Sequence, residues 1–176
     1  MTAQTSLFEA PLAPAAPPAP AGLFDNPAVI PGRTLQQPFA GAVLLAAFGY
    51  PAKDIETRLF QTTLRGEFVI VAGLEMDPLI FARVRGELID RGIPPAVVDN
   101  ALGQVGVALV VARIALVRPL TEADYSRALH WKEGEKRWAW ELADLCPLEP
   151  FKVSGKPGFF PIQREVVARA RRPVMR

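Results

Sequence analysis

Three long charged side chains stand close together in "PAKDIETRLF": Lys53, Glu56 and Arg58. Lysine and arginine both hold phosphate, and the planar guanidinium does so as a two-pronged fork. A lysine beside a glutamate is also an acid–base pair if burial lowers the lysine pKa, which makes Lys53 and Glu56 the catalytic candidates. The spacing has two readings. On a helix Lys53 and Glu56 form an ordinary i,i+3 surface pair. On a strand, side chains alternate with period two, so Lys53 faces away from Glu56 and Arg58 unless the turn at Pro51 breaks the period. Further candidates for a nucleotide or single-stranded nucleic acid are Arg65 and Lys156 for phosphate, Trp131 for base stacking and Gln37 for base-edge hydrogen bonds. Glu133 and Glu135 of "KEGEK" can supply a further carboxylate. His130 receives no role. Trp138 and Trp140 alternate on one strand face and read as core.

With one cysteine and one histidine in 176 residues, neither a disulfide within the chain nor a standard zinc site is expected. Cys146 reads as a packed thiol. No cofactor is implied. The formal net charge is +2, but it is uneven: Arg164–Arg176 holds five arginines against Glu165. A basic end suits an anionic partner. No basic region precedes an apolar run at the N-terminus, and the apolar stretches Phe39–Phe48 and Val105–Val117 are shorter than the roughly 20 residues a span needs. A soluble, cytoplasmic protein with no membrane partner is therefore expected.

Seven of the 18 prolines fall in the first 31 residues. The run "EAPLAPAAPPAPAG" cannot bury a core face and reads as an extended, disordered Pro/Ala-rich tail. The expected division is a tail over 1–31, a domain over 32–163 and a basic tail over 164–176. Two islands, "SLFEAP" and "GLFDNP", bracket the run, and Gln4-Thr5-Ser6-Leu7-Phe8 resembles the short peptide by which bacterial proteins dock on the DNA sliding clamp.

The elements that must position the charges follow from Thr34 onward. "QQPFAGAVLLAAFGY" reads as a helix with Pro38 in its first turn and Gly49 as its stop. "RGEFVIVAGL" is a buried strand. "DPLIFARVRGELIDRG" is a helix capped by Asp77, opened by Pro78 and stopped by Gly92, with one apolar stripe of Leu79, Ile80, Val84, Leu88 and Ile89. A short helical piece, "IPPAVVDNAL", precedes the long strand "GQVGVALVVARIALVRPL". "TEAD" is a capping-box variant. "KRWAWELADL" is a strand, and "PLEPFKVSGKPGFFPI" reads as a strand pair. Helices interrupt strands without regular βαβ alternation, so the expectation is α+β: a small, mostly antiparallel barrel with inserted helices.

In this order the pieces resemble the activating-signal-cointegrator homology (ASCH) family, a branch of the PUA-like barrels, whose signature is Gly-x-Lys-x-x-Glu-x-Arg. Gln37-Pro38-Phe39 matches its helix opening, and Lys53, Glu56 and Arg58 match the three charges. Arg65-Gly66, Gly106-Val107, "WAWEL" and "GKPGFF" match later strands and turns, and the similarity spans about Arg33 to Ile162. The resemblance implies a PUA-like barrel whose mouth forms a cleft with the first helix, faced or braced by Lys53, Glu56 and Arg58. It implies binding of nucleic acid, RNA first, or of a modified nucleotide. The alternatives are a hydrolase in the same cleft, acting on acylated nucleosides or RNA, and a scaffold recruiting partners through its tails. Two departures stand out. Pro51 replaces the signature glycine, and Glu56 stands where the amidohydrolase branch has threonine, with Thr57 one residue away.

Overall fold

The structure, a computed structural model, describes Gly22 and residues 25–129 and 136–171. The elements run β1 (Val29–Gln37), α1 (Phe39–Ala47), β2 (Ile55–Arg58), β3 (Glu67–Met76), α2 (Pro78–Asp90), α3 (Pro95–Leu102) and β4 (Val107–Pro119). A 3₁₀ turn (Glu122–Asp124), α4 (Tyr125–Ala128), β5 (Trp138–Lys152), β6 (Phe159–Gln163) and α5 (Arg164–Ala170) complete them. The fold is α+β. No helix among the described residues is long and apolar enough to cross a membrane.

Helix ends follow local chemistry. The Asp77 carboxylate accepts from the backbone N–H groups of Leu79 and Ile80, and Pro78 supplies the first turn, where its missing N–H costs nothing. Gly92 stops α2 at φ +86°, a conformation natural to glycine. Thr121 and Asp124 complete the capping box. The stripe expected on α2 is shorter than its sequence suggests. Val84 and Leu88 are buried, but Leu79 is 83% exposed, because the first turn of α2 reaches past the core to the rim of a cavity.

All six strands form one sheet in the order β2-β5-β4-β3-β1-β6. Every neighbouring pair is antiparallel except β1 with β3, whose parallel pairing is allowed by the long crossover through α1 and β2. Register shifts interrupt β4 against β5 between Ala108/Val110, Val111/Arg113 and Ile114/Leu116. Such bulges bend a strand and raise its twist. The sheet curls until Trp140 of β5 stacks on Phe159 of β6, ring centroids 6.3 Å apart. It is a barrel left open: β2 and β6 are its two edges.

Helix α1 closes one side of the main core, packed on α3 so tightly that a Cβ at Gly41 would sit 2.4 Å from the Ala101 carbonyl oxygen. The "PLEPFKVSGKPGFFPI" segment does supply two strands, but not as a pair. Its first part continues β5 against β4, and β6 pairs with β1, because the glycine-rich connection carries the chain across the sheet instead of turning it back. The described part of the basic C-terminal segment is the helix α5, with Val167 buried. Arg164 donates to the carbonyls of Pro27 and Val29, and Arg171 pairs with Glu67 at 2.8 Å. Those arginines fasten the helix to the sheet.

Candidate functional site

The turn after α1 determines where Lys53 goes. Its left-handed residue is Gly49, at φ +86°, so Pro51 stands outside the position that needs glycine. Strand β2 begins only at Ile55. Lys53 therefore lies before the strand, and period-two alternation does not bind it. Its Nζ sits 3.4 Å from Glu56 Oε2 and donates to the carbonyls of Ile55 (2.6 Å) and Ala128 (2.7 Å). All three charges meet on one side after all.

Lys53 is 1% exposed, with its ammonium 5.3 Å from the centre of the Phe39 ring. Burial lowers its pKa and Glu56 opposes that shift; desolvation wins because an ammonium in low dielectric loses its hydration. Glu56 Oε1 accepts from Arg58 Nη2 at 2.9 Å. The Arg58 guanidinium lies 5.9 Å from the centre of the Trp140 ring. Trp140 is fully buried, and its indole N–H donates to the Phe60 carbonyl.

This network borders a cavity of about 530 Å³. Lys53, Glu56 and Arg58 form its floor, while Leu79 and Arg83 of α2 and Arg137 before β5 form its rim. Thr57 also borders it. Among the described residues, four cations line the cavity against one carboxylate, that of Glu56, which suits an anionic ligand.

The other expected site residues lie elsewhere. Gln37 is buried, with its amide N–H₂ on the Gln104 carbonyl and its amide oxygen accepting from the Gly41 N–H. Both ends of the group are used to brace β1 and α1, so it offers no free edge to a base. Arg65 donates to the carbonyls of Thr62 and Leu64 at 2.9 Å, closing the loop before β3. Lys156 is exposed in the β5–β6 connection and does not border the cavity. Trp131, His130, Glu133, Glu135 and Gln4–Phe8 lie outside the described residues. Among the described residues, no group of three or more His, Cys, Asp or Glu side chains is placed to hold a metal.

One residue behind the floor of the cavity, coupled electrostatically to Arg58 and Glu56, escapes the sequence pattern. Arg33 on β1 is buried, its guanidinium 5.7 Å from the centre of the Phe60 ring and 5.5 Å from that of Phe159. The only signal was a lone cation inside an apolar strand.

No family model matches the chain, and no curated protein does. The solved structures similar to it include two of the ASCH protein of Zymomonas mobilis. A serine-to-alanine mutant is 15% identical with a TM-score of 0.45, the match covering 79% of this chain and 92% of that one. The second structure is also 15% identical, with a TM-score of 0.42, and covers 77% of this chain and 88% of that one. Both carry the name of the family that the motifs of this chain resemble.

Proposed function

We propose that the cavity above Lys53, Glu56 and Arg58 binds nucleic acid, RNA first, one nucleotide unit at a time, or a free modified nucleotide. The observation that carries this reading is the three-charge network, with Lys53 and Glu56 buried and Arg58 partly so, at the floor of a cavity whose rim adds Arg83 and Arg137. A space of about 530 Å³ is of the size that takes a small organic ligand. Trp140 has no exposed face, so the base packs on the apolar rim of Leu79 and Ile80, and the cations hold phosphate.

Hydrolysis in the same cleft is the second reading. One observation favours it: burial lowers the pKa of Lys53, the direction a lysine base needs. Against it, the three Nζ donors already have acceptors, and a base needs a free lone pair.

Titration with single-stranded RNA, single-stranded DNA and modified nucleosides tests both. Binding abolished by Arg58→Ala, in a variant with an unchanged circular dichroism spectrum, supports the cleft; undiminished binding by that variant refutes it. Product formation lost on Lys53→Ala would move the assignment to the hydrolase.

A further inference from the structure

Arg33 is the cation that the reading above does not use. It is 8% exposed and held between two aromatic rings. Its Nε is buried without a hydrogen-bond partner, and the Nε of Arg58 is in the same condition. Buried guanidinium groups are ordinarily matched by carboxylates or carbonyls, and an unmatched one calls for an explanation. Burial first, then repulsion from Arg58, outweighs the attraction of Glu56 and pushes Arg33 down to about 10. It therefore remains charged at neutral pH. Arg58 borders the cavity, and Arg33 lies behind that floor; Arg33, Lys53 and Arg58 share Glu56 as their counter-charge, an excess of two positive charges. Lys53 is already committed to its two carbonyls. The excess therefore falls on the two arginines.

We propose that the floor of the cleft at Arg58 is a subsite for a phosphate monoester, seated on Arg58 with the charge of Arg33 behind it; the inference rests on the nucleotide reading of the cleft. A phosphate monoester carries about −1.5 to −2 charge at pH 7 with three acceptor oxygens. That matches the two excess charges of Arg33 and Arg58 and gives the unpartnered Nε of the Arg58 guanidinium an acceptor. An internal phosphodiester, with a single charge, would leave one cation uncompensated. The phenyl rings on Arg33 keep its plane fixed and its surroundings dry, which strengthens an ion contact. The ligand class is thus a mononucleotide or the phosphorylated end of a strand.

Calorimetric titration of the full chain tests this with the four nucleosides, their 5′-monophosphates, inorganic phosphate, and a hexanucleotide RNA with and without a 5′-phosphate. The key variant is Arg33→Met, which removes an unmatched buried charge. It is expected to unfold at the same urea concentration as the parent or higher, so lost binding would not report lost folding. The expected result is that a monophosphate binds roughly tenfold tighter than its nucleoside, the scale of one charge-assisted hydrogen bond. Arg33→Met erases that gap. A gap that survives in Arg33→Met overturns the subsite. Nucleosides that bind as well as their monophosphates overturn it too, and leave the cleft assignment intact. Inorganic phosphate bound in an Arg33-dependent way, with no nucleoside or nucleotide bound, keeps the subsite and overturns the nucleotide reading. If none of the probes binds, both fall. A phosphorylated hexanucleotide tighter than the monophosphate identifies a strand end as the source, and equal affinities identify a free nucleotide.

Discussion

Two cavities flank the segment Pro51–Glu56, and adjacent residues serve opposite ones. Asp54 lines a groove of about 670 Å³ with Tyr50, Arg91, Arg127 and Asp144, whereas Lys53 and Glu56 face the cleft of about 530 Å³. The groove is larger, yet its charges are neutralised in pairs. Arg127 forks the Asp54 carboxylate, with Nη2 at 2.7 Å. Arg91 pairs with Glu87 and also donates to the Ser126 carbonyl, and Asp144 pairs with Arg113 at 2.6 Å. At the cleft floor and just behind it three cations share Glu56, and two guanidinium Nε atoms, of Arg33 and Arg58, have no partner. Volume favours the groove, but unbalanced buried charge favours the cleft. A site can be recognised by what the fold leaves unsatisfied.

The sharpest way to break this comparison is Glu56→Gln. Removing the shared carboxylate leaves the buried Lys53 facing the partly exposed Arg58 without a counter-charge, and the expected loss is about 3 kcal/mol in urea unfolding. A loss below about 1 kcal/mol would mean that Glu56 does not hold the cleft together. The next effect is on pH dependence. Burial lowers the Lys53 pKa in the fold, so the unfolded chain holds that proton more tightly than the native one. The contribution of Lys53 to stability must then rise with pH, from its lowered native value up to the ordinary lysine range. Stability curves of the parent and Lys53→Met, recorded from neutral pH to about 10.4, should diverge in that sense. Parallel curves would contradict the burial argument. The smallest effect is expected in the groove. Arg127 is half exposed, and Arg127→Ala should cost under about 1 kcal/mol and leave nucleotide binding unchanged. Binding lost in that variant would transfer the function to the larger cavity.

What the sequence disclosed, it disclosed through local chemistry. Asp77, Pro78 and Gly92 mark α2 because a cap, a missing N–H and a left-handed stop each have a residue-level cause. The placing of Lys53, Glu56 and Arg58 at a cleft came instead from the family resemblance of the charged signature, since their spacing alone left helix and strand open. Long-range facts were not legible. The alternation rule separated Lys53 from Glu56 because it assumed that the strand had begun, and β2 starts two residues later. Gln37 looked free for a ligand because its partners, Gln104 and Gly41, are brought to it by α1 and α3. Arg33 carried no motif, since its neighbours Phe60 and Phe159 come from separate segments of the chain. The parallel pairing of β1 with β3 likewise depends on the sheet as a whole.

The pairing of β2 with β5 also has a consequence in time. Among the described residues β2 has β5 as its strand neighbour, and Lys53 finds its Ala128 acceptor 75 residues downstream. A ribosome adding about 5–20 residues per second releases Lys53 roughly 4–15 s before that carbonyl has been made. Throughout that interval the ammonium stays in water, and the α1 end of the nascent chain has no partner with which to bury it. The cleft is therefore among the last features to close, and a chain cut short before β5 lacks it even where β1, α1 and β3 are present.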